Sequence, residues 1–277
     1  MSEPQLLWLD GSPATSLPLP DRGLDFGDGL FETLLIKSGT PLFLDAHLKR
    51  YRFGCERLSL PDVADQLTEQ IEAFCAEIAT LPWAVLRATI TRGAGQRGYA
   101  PPAQASPRIL LIAYALGRDA FQQLPPAQLV EAEHRLALQP SLAGIKHLNR
   151  LEQVLIAAQV SAAGADEALV YDCEGRAVCG SASNLFFVFD GVVHTPKLES
   201  AGISGTRRQL VLKEWLGRAG MEGRVGDMVA SDIEKADAVF LTNSLVGVRP
   251  VGAIGDRRFN DHSVAAALFS EFVRSCA

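Results

Sequence analysis

The chain has 277 residues, 48% of them hydrophobic and 21% charged, and a formal net charge of −6. A chain this long buries a sizeable core and exceeds one compact unit, so two domains are expected, and the composition is that of an ordinary globular protein, not a disordered one. The acidic balance and the lack of a basic stripe argue against a nucleic-acid binder, although Arg207-Arg208 is a local patch suited to a small anion. Five cysteines, at 55, 75, 173, 179 and 276, are odd in number and lack CxxC spacing, which suits free thiols in a reducing cytosol and suggests no zinc site. Glu3, Gln5 and Asp10 stand where a signal peptide would carry positive charge and then an apolar core, and no apolar run approaches a membrane span. A cytoplasmic protein is expected.

In chain order, residues 5–9 and 34–37 read as strands, separated by turn-rich Asp21-Arg22-Gly23 and Phe26-Gly27-Asp28-Gly29. Asp45 is the expected N-cap of a helix through Leu58 with Leu48, Tyr51, Cys55 and Leu58 on one side. A second helix is predicted from Asp62, carrying Val63, Leu67, Ile71, Phe74 and Ile78, and closed by Pro82. Trp83 to Thr91 alternates as a strand, and Arg108 to Leu116 reads as a buried central one. Between them lies a glycine- and proline-rich loop, Arg92 to Pro107.

Apolar periodicity lapses over 118–128, which contains Pro125-Pro126, so the expected organisation is an N-terminal α/β domain (1–117), a linker (118–128) and a C-terminal domain (129–277). The second half opens with a strand near Leu129 to Glu133. It continues through Ala143-Gly144-Ile145-Lys146-His147-Leu148-Asn149-Arg150 into a helix capped by Gly164. Strands follow at 168–171 and 176–179, and a hairpin is expected over 185–195 around Asp190-Gly191. A helix follows Gly202 to Arg208, Ser231 and Glu234 suggest a capping box, 238–242 reads as a strand, and Val264, Leu268 and Phe272 mark a last helix. There is no internal repeat.

Lys146 is the residue with the most chemistry in its setting. Gly144 permits a close backbone approach, and Leu148, Leu151, Leu155 and Ala158 share one face, so Lys146 is expected at the lip of a packed element. A lysine held against apolar surroundings loses hydration of its charged form, which leaves a neutral amine able to attack a carbonyl. Most lysines are surface charges whose stems cover apolar area, so spacing alone is a weak argument.

Four separated runs carry a stronger one: FGDGLFET at 26–33, RGAGQRGY at 92–99, GIKHLNRLEQ at 144–153 and SNLF at 183–186. Together they resemble the fold-type IV pyridoxal-phosphate enzymes, from about Asp10 to Val251. The resemblance implies a mixed α/β (α+β) fold of two domains, the smaller N-terminal and the larger C-terminal with a β-barrel-like sheet. It further implies pyridoxal 5'-phosphate as cofactor, a small-molecule substrate and a homodimer.

The resemblance also assigns roles. Lys146 would bind the cofactor's aldehyde and act in catalysis. The backbones of Thr206 and Arg207, at a helix start whose dipole favours an anion, would hold the phosphate, joined by Arg50 of His47-Leu48-x-Arg50 and by Ser244. The RGY run resembles that of a lyase branch of the family, in which Arg97 and Tyr99 would face a dicarboxylate substrate, with Thr33 and the aromatic wall Phe31 beside it. On the residues alone, Arg92 and Arg97 form a basic loop able to grip carboxylates bidentately.

One position departs from the family. Five residues before Asn184 it carries a glutamate for the cofactor's ring nitrogen, and here stands Cys179, a weak donor. Either the ring works with less electron-withdrawing power, or another group such as His47 or Glu174 fills the gap. Two rival readings stay open: a branched-chain or D-amino-acid aminotransferase of the same fold, and a cofactor-free binding protein descended from it.

Overall fold

The computed structural model describes residues 3–276, which fall into two compact units. One runs to Asp119 and takes in Ile145–Asn149; the other holds Ala120–Gly144 and the chain from Arg150 on. The lysine stretch therefore belongs with the first unit, where the sequence placed it in a 129–277 domain. Backbone pairing is the reason, because Phe31 N donates to Lys146 O (3.0 Å) and Leu148 N to Gly29 O (3.1 Å). Nor is 118–128 a free linker: Ala120 and Ala127 are fully buried, and a strand begins at Ala127.

In the first unit, among the described residues, six strands form an antiparallel sheet in the order β2-β1-β6-β5-β3-β4. They are β1 (Leu6–Leu9), β2 (Ser12–Pro13), β3 (Gly29–Lys37), β4 (Thr40–Pro41), β5 (Trp83–Thr91) and β6 (Arg108–Ala115). Strict alternation on β5 buries Ala84, Leu86, Ala88 and Ile90, and β6 buries Ile109, Leu111 and Ala113 on the same side. Helices α2 (Leu44–Leu58) and α3 (Ala64–Glu77) cover that side with Leu48, Tyr51, Leu67, Ile71 and Phe74, the last edge-on to Trp8 at 5.3 Å. Each such side chain contributes roughly 1.5–3 kcal/mol by leaving water. A short helix α1 (Arg22–Phe26) precedes β3, with Asp21 capping it by accepting from Gly23 N. Asp45 is not the cap of α2; Phe43, at φ 58, precedes the helix, and Asp45 sits in its first turn, where a carboxylate still favours the dipole.

In the second unit, nine strands among the described residues form one sheet in the order β12-β11-β10-β13-β14-β7-β8-β9, with β15 (Arg257–Arg258) on β14. They are β7 (Ala127–Glu131), β8 (Glu167–Tyr171), β9 (Ala177–Cys179), β10 (Asn184–Phe189), β11 (Val192–Pro196), β12 (Gly223–Gly226), β13 (Ala238–Asn243) and β14 (Gly247–Ile254). Asp190 and Gly191 take φ of 46° and 78°, the two left-handed residues that a tight β10–β11 hairpin needs. Phe186 and Phe240 stack at 4.7 Å on one face, while Leu185, Phe187, Leu241 and Val251 share a core on the other. Helix α4 (Leu151–Ala162) follows the lysine stretch, and α5 (Thr206–Leu210) continues through a π-helical turn (Val211–Trp215) into α6 (Leu216–Arg218). The chain closes with α7 (Ala230–Ile233) and α8 (Ser263–Arg274), which packs Leu268 and Phe272 inward. Ser231 lies inside α7, whose start is held by Val229 N donating to Asp232 instead of by a Ser231–Glu234 box.

The apolar stripe expected to pack α4 faces outward. Leu151 and Leu155 of that stripe are 79% and 57% exposed, as is Val154 next to them at 60%, whereas Ile156 and Val160 enter a cluster with Ala168 and Val170. The helix carries two apolar stripes, and periodicity does not say which of them the chain itself covers. Among the described residues no helix is long and apolar enough to cross a membrane.

Candidate active site

The first unit gathers Lys146, Phe31 and Thr33. The 145–149 segment lies along the start of β3, bridging His147 to Leu30, and this fixes the lysine backbone against the sheet. Its Nζ stands 4.2 Å from the Phe31 ring centroid. Thr33, two positions along, points to the same face as Phe31, and its cross-strand partner is Arg87. Arg87 lies over the same Phe31 ring at 4.3 Å, and burial lowers its pKa. The face thus joins an amine, an aromatic wall, a hydroxyl and a second cation. Sequence reasoning missed Arg87, although its place in the alternation of β5 put it opposite the buried set Leu86, Ala88 and Ile90.

On the other side of β3 lies a buried carboxylate that sequence reasoning also passed over. Glu32 is 3% exposed between Leu30 and Leu34. It accepts from Arg50 Nε at 2.8 Å and Nη2 at 2.5 Å, and pairs with His47 Nδ1 at 2.6 Å. Burial would raise its carboxyl, but the Arg50 charge and the hydrogen bonds from Arg50 and His47 outweigh that and hold it at about 2. Since Glu32 is ionised, His47 Nδ1 carries the shared proton. A glutamate at an inward position of an apolar strand was the available signal.

Arg97 and Tyr99 sit on the loop after β5. Tyr99 is 85% exposed, with its ring 5.4 Å from Phe26. The loop is tied down by Arg22, whose guanidinium donates to the carbonyls of Gly98, Tyr99 and Ala100 at 3.1, 2.8 and 3.3 Å. Arg92 does not belong to a carboxylate grip. Its guanidinium is buried, bonds Asp28 at 2.7 Å and closes the end of α2 through the carbonyls of Ser59 and Leu58, both at 2.9 Å.

The second unit gathers the residues at the start of α5. Asn184 donates to Ile203 O at 2.9 Å and accepts from Gly205 N at 3.1 Å, which sets the turn leading into Thr206. A Cβ on Gly205 would fall 2.0 Å from Asn184 Oδ1, so only glycine fits there, and a glycine brings no side chain to cap the helix. Arg207 is fully buried and donates from Nη2 to Ser244 O at 3.3 Å. Arg208 bonds Thr195 Oγ1 at 3.2 Å and Pro196 O at 2.9 Å, and burial lowers its pKa to about 10. The pair is therefore not the surface patch its sequence suggested; both side chains serve the interior. Thr242, cross-strand from Asn184 and so on the same face, has a buried hydroxyl without a hydrogen-bond partner. A helix start without a capping side chain, next to an unsatisfied buried hydroxyl, fits a phosphate.

Cys179 ends β9, half-buried. Burial, with the nearby Glu167 carboxylate, pushes its thiol up to about 12, so it stays neutral. Glu167 is itself occupied, accepting from Ser181 Oγ at 2.5 Å and Ala182 N at 3.0 Å. Neither alternative named from sequence is available to replace a glutamate: His47 is held by Glu32, and Glu174 pairs with Arg176 at 2.8 Å on an exposed hairpin.

An amine set over an aromatic wall, as in the first unit, and a helix start that fits a phosphate, as in the second, are each features of a pyridoxal-phosphate-dependent enzyme of fold type IV. The sequence profile of the family described as amino-transferase class IV matches residues 29–254, and the chain belongs to that family. It is 35% identical over 251 residues to the aminodeoxychorismate lyase of Vibrio harveyi, covering 90% of this chain and 91% of that one. The solved 4-amino-4-deoxychorismate lyase of Pseudomonas aeruginosa is 40% identical, with a TM-score of 0.89 over 97% of this chain and 98% of its own. A putative branched-chain-amino-acid aminotransferase of Methanocaldococcus jannaschii is less similar, 30% identical over 88% of this chain and 84% of its own.

Proposed function

We propose that the protein is an aminodeoxychorismate lyase, converting 4-amino-4-deoxychorismate to 4-aminobenzoate and pyruvate in the cytoplasm, as a step of folate biosynthesis. The observation that carries this reading is the Lys146 amine set over Phe31, beside Thr33 and Arg87, in a chain 35% identical to one such lyase and 40% identical to another. Lys146 binds the cofactor's aldehyde. The amides of Thr206 and Arg207, with Ser244 and Arg50, hold its phosphate. When bound, pyridoxal phosphate supplies an aldehyde for the substrate's amine and a ring that accepts the electron pair left as the adjacent C–H bond breaks. Lys146 receives that proton at Nζ and returns one to the departing enolpyruvyl group. Phe31 and Thr33 line the substrate's side, and Arg97 and Tyr99 serve its carboxylates.

Cys179 makes the ring-nitrogen contact a neutral thiol, so the ring works with less electron-withdrawing power than a carboxylate partner would give. A homodimer is supported by the exposed stripe of α4, since an apolar strip of this kind on a globular protein marks a docking surface. The test is to supply 4-amino-4-deoxychorismate to the cofactor-loaded protein and measure pyruvate and 4-aminobenzoate. Production of glutamate from an amino acid and 2-oxoglutarate, without pyruvate from the lyase substrate, would assign an aminotransferase instead.

A further inference from the structure

Arg22 opens α1 and is only 4% exposed, yet its guanidinium serves a loop far along the chain. Nη1 donates to the carbonyls of Gly98 and Ala100, Nη2 donates to that of Tyr99, and Nε meets Asp28 at 2.8 Å. Three successive carbonyls turned towards one cation make a compact turn. A guanidinium holds such a turn because its N–H groups spread over one rigid plane, whereas an ammonium is a point charge on a flexible stem. The Arg22 stem passes where Gly95 leaves room, since a Cβ on Gly95 would stand 2.7 Å from Arg22 Cδ. The same guanidinium lies 4.8 Å from the Phe26 ring centroid, and that ring is 5.4 Å from the Tyr99 ring. The backbone of Arg22 also donates to Gly93 O at 2.9 Å, so one residue grips the loop at its base and at its turn. Asp28 is shared with Arg92 at 2.7 Å, and a change at Arg22 therefore leaves that carboxylate a partner.

We infer that Arg22 is a positioning residue for the substrate: by holding the backbone of residues 98–100 it sets Arg97 and Tyr99 in place before a dicarboxylate arrives. This rests on the reading that Arg97 and Tyr99 serve the substrate's carboxylates. A loop ordered in advance does not have to lose its conformational freedom on binding, so the benefit appears in substrate affinity. Because that ordering is needed equally before and during the reaction, its loss raises KM and leaves kcat in place. A purely structural clamp, such as the one Arg92 makes on the end of α2, would lower stability without this split.

The test is steady-state kinetics with 4-amino-4-deoxychorismate on cofactor-loaded wild type, Arg22→Lys, Gly95→Ala, Arg97→Ala and the Arg22→Lys/Arg97→Ala pair. Tryptic cleavage after Arg97 reports the order of the loop in the variants that keep it. Arg22→Lys should raise KM by about tenfold or more, with kcat and the Kd for pyridoxal phosphate within about twofold of wild type and cleavage after Arg97 faster. Gly95→Ala should move KM the same way by displacing the Arg22 stem, and it gives the reading if Arg22→Lys does not fold. In the Arg97→Ala background, Arg22→Lys should raise KM less than it does in wild type, because one of the groups it places is gone. An unchanged KM, with or without faster cleavage, would overturn the inference and leave Arg22 a structural clamp. So would a fall in kcat and cofactor affinity that matches the rise in KM. Wild-type KM in Arg97→Ala would instead overturn the underlying carboxylate contact, whatever Arg22 does.

Discussion

In the proposed reaction the chemistry turns on Lys146, and its removal has a two-part signature. Lys146→Ala should lose turnover by at least about 10²–10⁴-fold, the range for a residue that moves a proton in catalysis. Borohydride should attach the cofactor covalently to Lys146 of the wild-type protein, read by peptide mass spectrometry; label on another lysine would refute the assignment. Cys179 allows an electronic test. Cys179→Glu places a carboxylate where the family has one, and the absorption spectrum of the bound cofactor should change with it. An unchanged spectrum and turnover would deny the position any electronic role. For Glu32, the folded carboxyl at about 2 lies below its ordinary 4.5, so its contribution is fully present above 4.5 and is lost as pH falls through 2. Acid unfolding of Glu32→Gln should show a flatter dependence than wild type over that window. At neutral pH the variant should be less stable by up to about 3–5 kcal/mol, because the buried Arg50 loses the Glu32 carboxylate.

At the scale of elements, α4 and the start of α5 carry the expectations. If the outward stripe of α4 is a subunit contact, Leu155→Glu should shift the protein towards monomer in size-exclusion chromatography with light scattering, leaving the fold intact, since the side chain is 57% exposed. An unchanged mass would remove α4 from the interface. Gly205→Ala should weaken cofactor binding, because the added Cβ meets Asn184 Oδ1 at 2.0 Å and the turn that aims the α5 amides must shift. The unit and strand boundaries show how far the pattern reaches. Period-2 alternation found β5, and the Asp190-Gly191 pair found the β10–β11 hairpin, because those signals are local and have one structural solution. The N-cap of α2 and the start of α7 differ from what the pattern predicts, because neighbouring polar residues compete for a helix start and only backbone angles choose between them.

At the scale of the whole molecule, cofactor binding is linked to stability. Pyridoxal phosphate at about a hundredfold excess over its Kd should stabilise the folded chain by about 2.7 kcal/mol, visible as a rise in Tm. Pyridoxal at the same absolute concentration should raise it less, since it lacks the phosphate that the proposed site holds at the α5 start. The sequence by itself determined the family, and it singled out the lysine and the phosphate turn that the proposed function uses, because these depend on residue types that cannot be exchanged: an amine at Lys146, a residue without Cβ at Gly205, an amide at Asn184. It did not determine that Glu32 supports Arg50, that Arg92 closes a helix, that Arg22 ties down the loop carrying Arg97 and Tyr99, or that the Leu151–Leu155 stripe faces out. Only the tertiary structure decided these, because partners far apart in the chain meet only when the sheet and its helices have packed. Until then a buried guanidinium, a substrate-binding one and a solvated one have the same letter.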